Sequence, residues 1–155
     1  MKKISIVFPL YNEEKRLGKL FKSLITFIKI KKTKFFEFIF VDDGSSDNTF
    51  QKISDFVKSN KKKRNRFKII KSKKNFGKGH ALKLGINSAK NEWILTTDAD
   101  LSVSLVQILQ WFKKYNFKQS NAYFGSRNHP KSSIEYKFYR KLIGSVLQFL
   151  VFLFI

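Results

Sequence analysis

The chain has 155 residues, the length of one ordinary domain, and carries 32 Lys and Arg against 11 Asp and Glu for a formal charge of +21. Hydrophobic residues make up 43% of it and include 18 Phe, which excludes an intrinsically disordered polycation. With no cysteine there is no disulfide framework, thiol nucleophile or Cys-bound zinc.

Met1-Lys2-Lys3 followed by Ile4–Leu10 imitates a signal peptide, but Asn12-Glu13-Glu14 interrupts the apolar run and no small-residue cleavage site follows. The run reads as a first strand, Ile4–Phe8. Further short segments rich in β-branched and aromatic residues follow at Phe36–Val41, Phe67–Ile70, Trp93–Thr97 and Ala122–Gly125. Between them the apolar residues recur at helical spacing: Leu17, Leu20, Phe21, Leu24 and Phe27/Ile28; Phe50, Ile53 and Phe56/Val57; Leu82, Ile86 and Ala89; Leu105, Ile108, Leu109 and Phe112. This β-α alternation predicts an α/β fold, a mainly parallel sheet with helices on both faces, whose ligand site lies beyond the carboxyl ends of the strands.

Lys61-Lys62-Lys63-Arg64 falls between a helix and a strand and reads as a solvated loop. From Leu142 to Ile155 the chain is almost wholly apolar, yet as a helix it would reach only about 21 Å, short of a ~30 Å hydrocarbon core. This segment is expected to be an apolar C-terminal helix. It carries no stop signal, so the chain is expected to be an N-terminal fragment.

The basic residues are 27 Lys to 5 Arg, with only 4 Ala and 2 Pro, a bias that an AT-rich genome would produce. Much of the charge therefore belongs on solvated faces, although it still favours anionic partners. The carboxylates are more informative. Seven of the 11 follow predicted strands: Glu13 and Glu14, then Asp42, Asp43 and Asp47, then Asp98 and Asp100. Gathering them along one sheet edge costs mutual repulsion, which a divalent cation or a ligand's hydrogen bonds would relieve.

Asp98 and Asp100 leave the fourth strand at alternate positions, where they could converge on one hard cation or serve as turn and capping residues. In Asp42-Asp43-Gly44-Ser45-Ser46-Asp47, Gly44 permits a tight turn and Asp47 is placed to cap the next helix. Asp42 and Asp43 sit where a carboxylate accepts a uracil imide N–H or a ribose hydroxyl. Asn75-Phe76-Gly77-Lys78-Gly79-His80-Ala81 looks like a phosphate loop but lacks the G-x-x-x-x-G-K-[ST] spacing, which argues against a Walker-type ATPase. His80 and His129 read as polar contacts.

Together, Pro9-Leu10-Tyr11-Asn12-Glu13-Glu14, Val41-Asp42-Asp43-Gly44-Ser45, Asn75–Gly79 and Asp98-Ala99-Asp100 resemble the family 2, GT-A glycosyltransferases in order and spacing. Gly125-Ser126-Arg127-Asn128-His129, Tyr139-Arg140 and the apolar Leu147–Phe154 look like the dolichyl-phosphate β-glucosyltransferase branch. There are two departures: Leu101-Ser102 stands where mannose synthases carry Leu-Gln, which points to glucose, and His80 replaces a frequent Gly.

The resemblance implies a GT-A, Rossmann-like catalytic domain over residues 1–133 and a basic, apolar membrane-interface segment over 134–155. It implies inverting transfer of glucose from UDP-glucose to dolichyl or another polyprenyl phosphate at the cytoplasmic face of a membrane. Asp98 and Asp100 would hold Mg2+ or Mn2+. Pro9, Tyr11, Glu13, Asp42, Asp43, Lys78 and Asp98 would bind the nucleotide sugar, and Asp100 and Arg127 would act in catalysis. Lys137, Arg140 and Lys141 would meet anionic headgroups. Transfer of mannose or another sugar on the same fold is the nearest alternative, and a nucleic-acid-binding basic domain is the alternative of a different class.

Overall fold

The computed structural model describes residues 3–30, 33–60 and 66–114, together with 122, 123, 125 and 151. The chain falls into two compact units, Met1–Asn116 and Phe117–Ile155. Most of the second, including the expected C-terminal helix apart from Val151, lies outside the described residues, as does the Lys61–Arg64 run.

In the first unit four strands alternate with four helices: β1 Ile4–Leu10, α1 Leu17–Ile28, β2 Phe36–Asp42, α2 Thr49–Ser59, β3 Phe67–Lys71, α3 Lys78–Asn87, β4 Trp93–Thr96 and α4 Leu105–Lys114. The strands form one sheet in the order β3-β2-β1-β4, every pairing parallel. Four of the five predicted strands are thus present; of the fifth, Ala122, Tyr123 and Gly125 are not in a strand and Phe124 lies outside the described residues.

The central strands β1 and β2 are buried on both faces, which is why they read as continuous apolar runs rather than alternating ones. Their even-numbered residues, among them Ile6, Phe8, Phe38 and Phe40, pack against α1, α2 and α4. Phe40 contacts the rings of Phe8, Phe21, Phe56 and Phe67 within 6.4 Å, so this layer is an interlocked phenylalanine core.

The opposite face carries α3, where Val7, Ile39 and Val41 meet Ala81. The spacing of large residues pointed Leu82, Ile86 and Ala89 inward. Leu82 and Ala89 are partly buried against this cluster, as expected, but the buried residues of α3 are Ala81 and Gly85, and Ile86 is 41% exposed. A Cβ on Gly85 would overlap Val7 and crowd Val41, so α3 approaches the sheet through its smallest residues. On the same face, buried Ser5 donates to Glu37 (2.7 Å), and Glu37 accepts the Lys90 backbone N–H (3.0 Å), tying the α3–β4 connection to the sheet.

Between β1 and β4 the order of connection reverses, the chain passing from β1 through β2 and β3 before crossing to β4. A crevice opens at the carboxyl ends of strands at such a switch point. Among the described residues no helix is long and apolar enough to cross a membrane.

Candidate active site

A cavity of about 310 Å³ lies at that switch point, within the usual size range of small-molecule sites. Its wall draws on all four strand ends: Pro9 near the end of β1 with Tyr11 and Glu13 beyond it, Asp43 after β2, Asn75, Gly77 and Lys78 after β3, and Asp98 and Asp100 after β4. The structure therefore brings together seven of the nine residues singled out from the sequence.

The other two stand apart. Asp42 does not line the cavity: it is fully buried as the last residue of β2, and neither carboxylate oxygen has a hydrogen-bond partner among the described residues. Strand alternation explains this, since adjacent residues leaving a strand point to opposite faces, so of the pair only Asp43 can face the α3 side. Arg127, like His129 and the 134–155 segment, lies outside the described residues.

Asp43 is buried at the cavity floor. Its Oδ2 accepts the Gly77 backbone N–H at 2.7 Å, and its carboxylate accepts the Phe76 N–H at 3.2 Å. These bonds fix the β3–α3 loop and leave further lone pairs of the carboxylate for a ligand donor. Gly77 adopts φ +93°, and its N–H is also held by Asn75 Oδ1 at 2.8 Å. His80 places Nδ1 3.9 Å from Asp43 Oδ1 and its ring 4.7 Å from that of Phe76; Nδ1 is buried and has no hydrogen-bond partner among the described residues.

The first two loops brace one another. The Asn12 N–H donates to Ser45 Oγ (3.0 Å), the Ser46 N–H to Asn12 Oδ1 (2.9 Å), and the Glu13 N–H to Thr49 Oγ1 (2.8 Å). Asp47 accepts the N–H groups of Thr49 and Glu14, which gives it the structural role expected of it at the start of α2. Partial burial pushes the Asp47 carboxyl upward, but the hydrogen bonds from Thr49 and Glu14 outweigh it and hold the group below its ordinary value. Glu14 is likewise lowered, by hydrogen bonds from Lys52 first and then Asn48. Neither lines the cavity.

Four carboxylates and two basic groups form the ionisable wall: Glu13, Asp43, Asp98 and Asp100 against Arg16 and Lys78. A carboxylate excess in a chain of +21 suits a bound cation. Arg16 was not singled out from the sequence. Its guanidinium holds Glu13 at 2.9 and 3.1 Å, and the only trace of it in the sequence is the i, i+3 spacing of opposite charges.

Lys78 Nζ stands 2.7 Å from Asp98 Oδ1, but the two side chains are 62% and 56% exposed. Such a pair contributes about 0–1 kcal/mol and opens readily to a ligand. Asp100 Oδ1 accepts the Ser102 backbone N–H at 3.0 Å, so the turn reading of this aspartate is correct as far as it goes. Ser102 Oγ donates to the same carboxylate, at 3.0 and 3.1 Å from its two oxygens, and Asp100 is among the residues that line the cavity. No group of three or more His, Cys, Asp or Glu suited to a metal ion occurs among the described residues. A hard cation here would take two carboxylates from the protein and its remaining oxygens from ligand and water, the pattern typical of Mg2+ bound with phosphates.

The open parallel sheet with a cavity at its switch point has the α/β architecture of the GT-A type, and solved structures share it. The mannosyltransferase PcManGT from Pyrobaculum calidifontis, solved with GDP-Man and Mn2+, superposes with a TM-score of 0.56 at 21% identity, over 64% of this chain and 28% of that one. S. aureus TarS, solved with UDP, gives a TM-score of 0.55 at 29% identity over 72% of this chain and 32% of that one. The chain belongs to glycosyl transferase family 2, whose model matches residues 5–151.

Among curated relatives, the human dolichyl-phosphate beta-glucosyltransferase is 34% identical over 161 aligned residues, covering 97% of this chain and 49% of the relative. The Saccharomyces cerevisiae protein of the same name is 38% identical over 98 residues, 63% of this chain and 29% of the relative. An undecaprenyl-phosphate 4-deoxy-4-formamido-L-arabinose transferase of Photorhabdus laumondii is 35% identical over 101 residues, 65% of this chain and 30% of the relative. The chain thus spans half or less of the length of these relatives.

Proposed function

We propose that the chain supplies the donor site of an inverting glycosyltransferase that moves glucose from UDP-glucose to a polyprenyl phosphate of the dolichyl type. The observation that carries this reading is the convergence of Asp43, Lys78, Asp98 and Asp100 on one cavity at the β1–β4 switch point. The acceptor and the sugar are supported by the 34–38% identity to dolichyl-phosphate beta-glucosyltransferases.

In this account Asp43 accepts the uracil imide N–H, its position already set by the Phe76 and Gly77 amides. Tyr11, 46% exposed beside Pro9, packs near the base, and Glu13, held by Arg16, offers acceptors to the ribose hydroxyls. Asp98 and Asp100 would hold Mg2+ or Mn2+, which would supply positive charge against the leaving diphosphate. Lys78, released from Asp98, moves its ammonium to the diphosphate oxygens; the weakness of that exposed pair makes the exchange inexpensive.

The acceptor brings its own nucleophile. A phosphate monoester has a second pKa of about 6 and is largely dianionic at pH 7, so the reaction requires no general base. A single in-line displacement at the anomeric carbon inverts it and gives a β-linked glycosyl phosphate and UDP. Arg127 is proposed to hold the acceptor phosphate, where a planar guanidinium makes two parallel hydrogen bonds and a lysine would be a point charge. The reaction belongs at a membrane surface, on its cytoplasmic face.

Product analysis with a panel of UDP- and GDP-sugars and a polyprenyl phosphate tests this reading. Polyprenyl β-glucosyl phosphate formed from UDP-glucose supports it. Exclusive use of GDP-mannose, or of a formamido-arabinose donor, would overturn the donor assignment.

A further inference from the structure

We propose that the end of β3 and the loop that follows it, Lys71 to Phe76, form a docking surface for an anionic bilayer that turns the mouth of the donor cavity toward the membrane. The inference rests on the proposed function only for the lipid character of the acceptor.

Between Phe56 and Asn91 the chain has 13 Lys and Arg and no Asp or Glu, so the loop lies within an acid-free third of the first unit. Lys71, Lys73 and Lys74 are exposed, and among the described residues none of them forms an ion pair, although the Lys71 ammonium lies 4.2 Å from the Phe50 ring. Phe76, 52% exposed, stands at the tip with the Lys74 ammonium 5.2 Å from its ring. Exposed lysines around a solvent-facing aromatic match a surface that is anionic at the headgroups and apolar beneath them.

The loop is also rigid where it must be. Its backbone is held by Asp43 through Phe76 and Gly77, and Lys74 packs its backbone against Gly44. Asn75 and Gly77, on either side of Phe76, line the cavity, so docking by this loop orients the donor site as well as tethering it. Compositional bias alone would scatter basic residues over every face; it does not account for an exposed phenylalanine at the cavity rim.

The test is co-sedimentation of the purified protein with phosphatidylcholine vesicles, with and without about 30% phosphatidylserine. Each lysine near an anionic surface strengthens binding about fivefold, so replacing Lys71, Lys73 and Lys74 together by Gln should weaken binding to the anionic vesicles about a hundredfold. Phe76→Ala should weaken it about tenfold. The same charge removed from α1 and its end, by Lys19→Gln, Lys22→Gln and Lys29→Gln, should change it less than about fivefold. Equal weakening by both triple variants, or unchanged binding in the loop variant, would overturn the proposal. So would a loop variant that loses a single-stranded oligonucleotide but keeps the vesicles. UDP-glucose titration without vesicles separates the two readings: the loop variant should bind it like wild type, and failure of wild type to bind would count against the donor site alone.

Discussion

Gly44→Ala is the substitution whose cost the structure specifies most fully. Gly44 adopts φ +72°, a conformation that costs an alanine about 1–2 kcal/mol. A Cβ there would overlap the backbone carbonyl carbon and Cα of Lys74, which cannot rotate away as a flexible side chain would. Overpacking of this kind costs about 1–3 kcal/mol, for a combined loss of about 2–5 kcal/mol. At roughly 3 °C per kcal/mol for a chain of this size, the melting temperature should fall by about 6–15 °C. Pushing Lys74 outward also carries Phe76 and Gly77 away from Asp43, so UDP affinity should fall with stability. Gly77→Ala is the control: its φ is +93° but open space surrounds the would-be Cβ, so it carries the conformational cost without the overlap. Thermal melting and UDP titration of both variants check the reasoning. A Gly44→Ala protein that melts like wild type, or no lower than Gly77→Ala, would refute it.

Asp43→Asn should weaken UDP binding by about 10–100-fold, because the carbonyl oxygen that Asn retains would serve the Phe76 and Gly77 N–H groups, both of which reach Oδ2, and leave an NH2 facing the uracil imide N–H. Asp42→Asn should leave UDP affinity within about twofold and raise the melting temperature, since a buried amide costs less than an unpartnered carboxylate; calorimetry and melting curves check both. Arg127→Lys should lose transfer to polyprenyl phosphate while retaining UDP binding, measured by steady-state assay and titration of the same protein. Glu14 and Asp47 are both held below their ordinary values in the folded chain. Their contribution is therefore full above about pH 5 and is lost as pH falls through the folded values. Acid melting curves should show this loss, and Glu14→Gln with Asp47→Asn should reduce it; an unchanged acid limb in the double variant would contradict it.

Much of the fold was legible because burial writes itself into long apolar runs. α1 spans Leu17–Ile28, the outermost residues of its predicted stripe, and β2 is one residue longer than its apolar segment. At α3 the pattern of large residues places Leu82 and Ala89 correctly against the sheet but not Ile86, because the tightest helix-to-sheet contact is made by Ala81 and Gly85, which carry almost no hydrophobic signal. At the site, loop carboxylates following strands were a sound guide, because a parallel sheet brings all its carboxyl ends to one edge. The sequence could not separate Asp42 from Asp43, whose different fates follow from which face of β2 each side chain leaves. Nor could it reveal Arg16, whose place in the wall depends on the path of the β1–α1 loop.

The most direct test of the central claim is calorimetric titration of UDP-glucose into the protein with Mn2+ present, with the cation chelated, and with Asp98→Asn. The account predicts one site, weakened about tenfold or more by chelation, and an Asp98→Asn protein that binds with Mn2+ as wild type does without it. Equal affinity in all three titrations would contradict the assignment of this cavity as a metal-assisted donor site.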